Sequence, residues 1–223
     1  MSLYDVLIFD MDGVLVEVSE SYRETIVQTV RHFTGKSITR ESIQEYKNQG
    51  GWNNDWALSQ KIAADLGVTV EYAAVVQHFN SLFLDGGLIH RERWIPMPGW
   101  LERLEQKYEL AIFTGRSQVE AKITLGREGL QGRFAPVVTA DDVLHEKPAP
   151  DGLLHIAGQK PGKRMLYLGD TVDDARSGRA AGVPFVGIAA PGSPRHDELA
   201  ELLRAEGAIA VLDDVNQLEE VLA

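Results

Sequence analysis

The chain has 223 residues, 44% of them apolar and 25% charged, with a net charge of −11 and no cysteine. That composition is ordinary for a globular protein long enough to bury a large core. The negative balance argues against a nucleic-acid footprint, which needs a basic face, and the missing thiols exclude disulfides and a cysteine nucleophile.

The first apolar run, Val6–Phe9, reads as a buried strand and leads into Asp10-Met11-Asp12-Gly13. Side chains alternate along a strand, so Asp10 and Asp12 would share a face if it ran straight. Two like charges that close need a cation or a shared proton. Taken alone, the pair also fits a strand end followed by an Asp-Gly turn. Asp5 precedes any long apolar stretch, so no secretory leader is expected. No apolar run approaches the roughly 20 residues of a membrane span. With no cysteine in use, a cytoplasmic setting is the expectation.

From about Glu17 to Arg93 the pattern turns helical. Tyr22, Ile26, Val30 and Phe33 recur at helical spacing, with Ser19 as N-cap and Gly35 as stop. A second helix is expected from Asn54 to Gly67, and a third from Thr69 to Gly86-Gly87. Ile95-Pro96-Met97-Pro98-Gly99 is a stiff re-entry, so segments 16–19 and 90–96 form a hinge. After it come short apolar runs at Leu110–Phe113, Val137–Val138, Met165–Leu168, Phe185–Ile188 and Ala208–Leu212, separated by helix-sized crossovers. Such runs suit strands buried on both faces. The expected fold is therefore α/β, a doubly wound parallel sheet over residues 1–16 and 95–223, with a helical domain inserted at 17–94.

Open α/β sheets bind ligands beyond the carboxyl ends of their strands. The 110–113 strand delivers Thr114-Gly115-Arg116 there, a hydroxyl, an exposed amide and a guanidinium that could bind an oxyanion. Lys147 opens a turn bounded by Pro148 and Pro150, where it could place a point charge over the strand ends. The 165–168 strand ends in Gly169-Asp170-Thr171-Val172-Asp173-Asp174. Together Asp10, Asp12 and Asp170 offer the oxygen ligands that Mg²⁺ prefers. The six histidines (His32, His78, His90, His145, His155 and His196) lack zinc-ligand spacing.

These four groups, in this order, resemble the motifs of the haloacid dehalogenase-like superfamily of phosphotransferases, over the whole chain. Asp10-Met11-Asp12-Gly13-Val14-Leu15 resembles the first motif, Thr114-Gly115-Arg116 the second, Lys147-Pro148 the third, and Gly169-Asp170 with Asp173 and Asp174 the fourth. The helical insertion is similar to the mobile cap of the subgroup containing phosphoglycolate phosphatase and β-phosphoglucomutase. The resemblance implies a phosphatase acting on a small phosphorylated metabolite, as a monomer or homodimer. Asp10 would attack phosphorus and form an aspartyl-phosphate. Asp12 would protonate the leaving oxygen and then activate water. Mg²⁺ would be held by Asp10, the Asp12 backbone carbonyl and Asp170, with Asp174 as the motif's second acid. Thr114, Gly115, Arg116 and Lys147 form the implied phosphate-binding set. Asp173 has no implied contact.

Between the first two inserted helices, Lys47, Asn48, Trp52 and Asn53 are expected to reach the leaving group, with Tyr22 and Arg23 near the hinge. A mutase of the β-phosphoglucomutase type is the alternative, although Tyr22 stands where such caps carry a histidine. A non-catalytic phosphate-binding module is a further alternative, which the intact motifs do not support.

Overall fold

The computed structural model describes residues 3–222. Eight strands are present among them: β1 (Val6–Phe9), β2 (Val16–Glu17), β3 (Arg93–Trp94), β4 (Glu109–Phe113), β5 (Val137–Val138), β6 (Met165–Gly169), β7 (Phe185–Ile188) and β8 (Ala210–Leu212). Six of these form one parallel sheet in the order β5-β4-β1-β6-β7-β8. Strand β1 is central, with the chain winding outward first through β4 and β5, then through β6, β7 and β8. That reversal opens a crevice at the carboxyl end of β1, where α/β sheets hold ligands.

Strand alternation builds both faces. Leu7 and Phe9 pack with Ile112, Leu166 and Leu168 beneath α5 (Trp100–Glu105) and α6 (Gln118–Arg127). Val6 and Ile8 pack on the other face with Phe113 and Tyr167, beneath α7 (Asp151–Gln159), α8 (Val172–Ala181) and α9 (His196–Ala205). All four β1 side chains are fully buried, as a strand covered on both faces requires. Helix α10 (Leu218–Leu222) closes the described chain.

The segment between β1 and β4 carries α1 (Tyr22–Thr34), α2 (Arg40–Gln49), α3 (Asp55–Asp65) and α4 (Tyr72–Asn80), the last prolonged by a π-helical turn at Ser81–Asp85. Its two connections pair as an antiparallel ribbon, Val16 opposite Trp94 and Glu17 opposite Arg93. Helix α1 begins later than a cap at Ser19 would set it. Ser19 instead donates its backbone N–H to Glu17 Oε1 at 2.7 Å, and Ser21 occupies the N-cap position. Helix α2 has no counterpart among the expected helices because only Ile43, Gln44 and Asn48 are buried along it, leaving no apolar stripe to find. Asn54 caps α3, accepting the Ala57 N–H at 3.0 Å. Among the described residues no helix is long and apolar enough to cross a membrane.

Truncating the central strand tests this packing. Ile8→Ala should lower the unfolding free energy by about 2–5 kcal/mol, read from urea denaturation midpoints at unchanged m-value.

Candidate active site

Asp10 follows β1 directly, and its backbone N–H still donates to Leu168 O of β6 at 2.8 Å. The strand ends there and the backbone bends at Met11. The backbone turns through Gly13, whose φ is +70° and where a Cβ would collide with the Asp170 carboxylate. Glycine is required there twice over, for its conformation and for room. The turn keeps Asp10, Asp12 and Asp170 on the wall of one cavity.

Lys147 lies beneath that wall, 4% exposed. Its ammonium donates to Asp10 Oδ1 at 2.8 Å and pairs with Asp174 Oδ1 at 2.7 Å. It also sits 4.7 Å from the centroid of the Phe113 ring and 5.5 Å from that of Tyr167. Asp174 is the most tightly held acid. It accepts from the Thr171 backbone and hydroxyl at 3.0 and 2.6 Å and from Tyr167 Oη at 2.5 Å. Thr171 in return caps α8, accepting the Asp174 N–H at 3.1 Å, so strand end and helix start are locked by a capping box.

Burial works to raise the pKa of all three carboxyls, but their partners decide the outcome. Burial pushes Asp10 up to about 7, helped by the charges of Asp174 and Asp12 and opposed by Lys147. Burial, with the charges of Asp174 and Asp10, raises Asp170 well above the ordinary range. Burial acts on Asp174 too, yet Lys147 and the Thr171 and Tyr167 donors hold it below its usual value. One carboxyl oxygen each from Asp10, Asp170 and Asp174 lies within 4.8 Å of the others. Three hard oxygen donors this close together form a set that a small divalent cation fits. The Asp12 carboxylate is not in that set.

Asp12 belongs to a second cluster. Arg116 Nε donates to Asp12 Oδ1 at 2.8 Å, and Arg116 Nη2 bonds the same oxygen. Nη2 also pairs with Glu92 Oε1 at 2.8 Å, and Nη1 donates to Thr124 Oγ1 at 2.7 Å. Thr124 donates onward to Glu92 Oε2 at 2.7 Å, which Arg127 also contacts. The guanidinium lies 5.0 Å from the Tyr22 ring centroid. All three nitrogens have protein partners, although Arg116 also lines the cavity. The sequence carried no sign of this, because Glu92 and Thr124 lie 24 and 8 positions from Arg116 and belong to no motif.

Gly115 lines the cavity, while Thr114 is 1% exposed, its hydroxyl accepting the Arg116 N–H at 3.3 Å. Of the residues inserted between β1 and β4, Tyr22, Arg23, Lys47 and Asn53 line the cavity, with Lys47 paired to Asp55 at 2.7 Å. The Asn53 amide lies so close to Gly115 that a Cβ there would collide with it. Asn48 and Trp52 do not join them. Asn48 sits in the last turn of α2, accepting Gln44 Nε2 at 2.8 Å, and Trp52 packs edge-on against Tyr46 at 6.3 Å. Trp56 takes the place expected of Trp52 on the wall, and Glu120 joins from α6. Asp173, left without a contact by the motif, accepts the Gly51 N–H with both oxygens, at 2.7 and 2.9 Å.

Residues 7–188 match the family model of haloacid dehalogenase-like hydrolases. An imidazoleglycerol-phosphate dehydratase of Phytophthora nicotianae is 33% identical over 83% of this chain, which spans 43% of that protein. The fructose-1-phosphate phosphatase of Escherichia coli is 26% identical over 83% of this chain and 96% of its own. The crystal structure of a predicted phosphoglycolate phosphatase from Haemophilus somnus superposes with a TM-score of 0.80 at 17% identity, covering 100% of both chains.

The raised carboxyls give a signed pH prediction for the metal-free protein. Between the ordinary aspartate value of 3.8 and about 7, folded Asp10 keeps a proton that the unfolded chain has released. Stability should then fall as pH rises through that window. Thermal melts in EDTA should show the fall, Asp10→Asn should lessen it while the raised Asp170 keeps the remainder, and added Mg²⁺ should oppose it.

Proposed function

The chain belongs to the haloacid dehalogenase-like hydrolases, and from that premise we propose that it is a Mg²⁺-dependent phosphatase of a small phosphate monoester. One observation carries the reading: two aspartates share a cavity wall, yet one is engaged by a lysine and an acid cluster and the other by an arginine. Two carboxyls in different surroundings are what divided chemical labour needs.

Asp10 is the nucleophile. Its carboxylate attacks phosphorus to give an aspartyl-phosphate, with Lys147 fixing one oxygen and offsetting the charge that burial disfavours. Asp12 protonates the leaving oxygen and then takes a proton from the attacking water. Mg²⁺, held by Asp10, Asp170 and Asp174 with the Asp12 carbonyl, would neutralise charge on the transferring group. The Gly115 amide and Thr114 bind the remaining phosphoryl oxygens, where charge spreads in the transition state. Arg116 is a positioning residue that holds Asp12 at a single oxygen and leaves the other free. Residues 17–94 act as a cap over the site, swinging on the β2–β3 ribbon, and set substrate choice. Water is the acceptor in this reading; the mutase alternative has no support from Tyr22, an aromatic wall residue where a histidine would be wanted.

A screen of phosphate esters with Mg²⁺ tests the proposal. Asp10→Asn should lower kcat by at least about three orders of magnitude, and activity retained by that variant would refute the mechanism. Arg116→Lys should lower kcat by about 100-fold, the lower end of what acid–base assistance contributes. Competitive inhibition by inorganic phosphate should stay near the wild-type level, because Arg116 does not touch the phosphoryl group.

A further inference from the structure

Buried polar atoms without a hydrogen-bond partner are rare in folded proteins. Several of those among the described residues belong to one cavity wall. Asp55 Oδ1 is answered by the Lys47 ammonium at 2.7 Å, which leaves Tyr22 Oη, Arg23 Nη1, Asn53 Nδ2 and Glu120 Oε1. Tyr22 and Glu120 are only 7% and 3% exposed. Protein contacts account for part of the set. Glu120 Oε2 accepts from the Ser117 N–H and hydroxyl, both at 2.8 Å, and Arg23 Nη2 donates to Gln44 Oε1 at 3.3 Å. What remains open is one atom on each residue, around the cavity that Asp10 and Asp12 also line.

The four atoms differ in kind. Arg23 and Asn53 donate, the Glu120 carboxylate oxygen accepts, and a phenol does either. A ligand that satisfies them all must donate and accept at neighbouring points, which is the property of hydroxyl groups. A carboxylate or second phosphate only accepts; it would leave Glu120 unmet and face its charge. The rest of the wall points the same way. Asp141 and Glu146 add negative charge, and Lys47 is already paired with Asp55. Arg116 is spent between Asp12 and Glu92. Trp56 supplies an apolar ring, a surface suited to the C–H face of a sugar.

We infer that the leaving group is neutral and polyhydroxylated, so that the substrate is a sugar or polyol monophosphate, recognised by Tyr22, Arg23, Asn53 and Glu120. This rests on the phosphatase reading of the same site and narrows it: esters carrying a second anion are disfavoured.

The test compares kcat/KM with Mg²⁺ across hexose and pentose monophosphates, glycerol phosphate, phosphoglycolate, pyrophosphate and phenyl phosphate. The best sugar or polyol phosphate should exceed phosphoglycolate and pyrophosphate by at least about 100-fold, since a site built for hydroxyls rejects ligands that lack them. In Tyr22→Phe and Asn53→Ala the ratio of that substrate to phenyl phosphate should fall, by about 10-fold or more. Tyr22→Phe should at the same time raise the melting temperature of the ligand-free protein, because it removes a buried unpaired hydroxyl. Preference for phosphoglycolate or pyrophosphate overturns the inference, and so does an unchanged ratio in both variants. Failure of the phosphatase reading looks different: no ester, phenyl phosphate included, is turned over, and both proposals fall.

Discussion

Lys147 is buried between two carboxylates, Asp10 and Asp174, and the site is arranged around that ammonium. Three ionisable groups brought out of water this close together are tolerable only when their geometry is fixed. Each is fixed from a different element. Asp10 is held by the β1–β6 ladder, Asp174 by the capping box that starts α8, and Lys147 by the Phe113 and Tyr167 rings on the sheet face. Losing one partner would leave an uncompensated charge in the core, so the sheet, the helix start and the turn at 147 stand or fall together.

The parallel sheet was legible because its strands are continuous apolar runs buried on both faces, a pattern that neither amphipathic helices nor half-exposed strands produce. The acids at their ends could be picked out for the same reason: Asp10 and Asp170 interrupt apolar runs where packing gives them no purpose. Arg116 shows where sequence reading stops. Its type and place suit a phosphate, but partners distant in sequence take its nitrogens, and only folding brings Glu92 and Thr124 to it. In the inserted helices the difficulty is local. Lys47, Asn48, Trp52 and Asn53 are close in sequence, yet the end of α2 turns them different ways, placing two on the cavity and two off it. Without α2 recognised as a helix, that division has no visible basis.

The two carboxyl clusters also divide the molecule. Asp10, Asp170, Asp174 and Lys147 belong wholly to the sheet and the elements that follow it. Asp12, through Arg116, is tied to Glu92 on the chain's return from the inserted helices and lies near the Tyr22 ring at their start. The charged partners of Asp10 thus come from the core alone, whereas those of Asp12 tie it to both connections to the insertion.

Asp173 and Asp174 are neighbours in the first turn of α8, and adjacent helical residues face directions about 100° apart. One carboxylate faces the acid cluster, and the other grips the Gly51 amide across from it. A single helical turn therefore acts as a shared datum for the chemistry and for the loop carrying Asn53. Only Trp52 separates the gripped amide from Asn53, whose side chain perches over Gly115. The loop's length cannot change freely at that point, because one residue more or less would carry the amide off its perch.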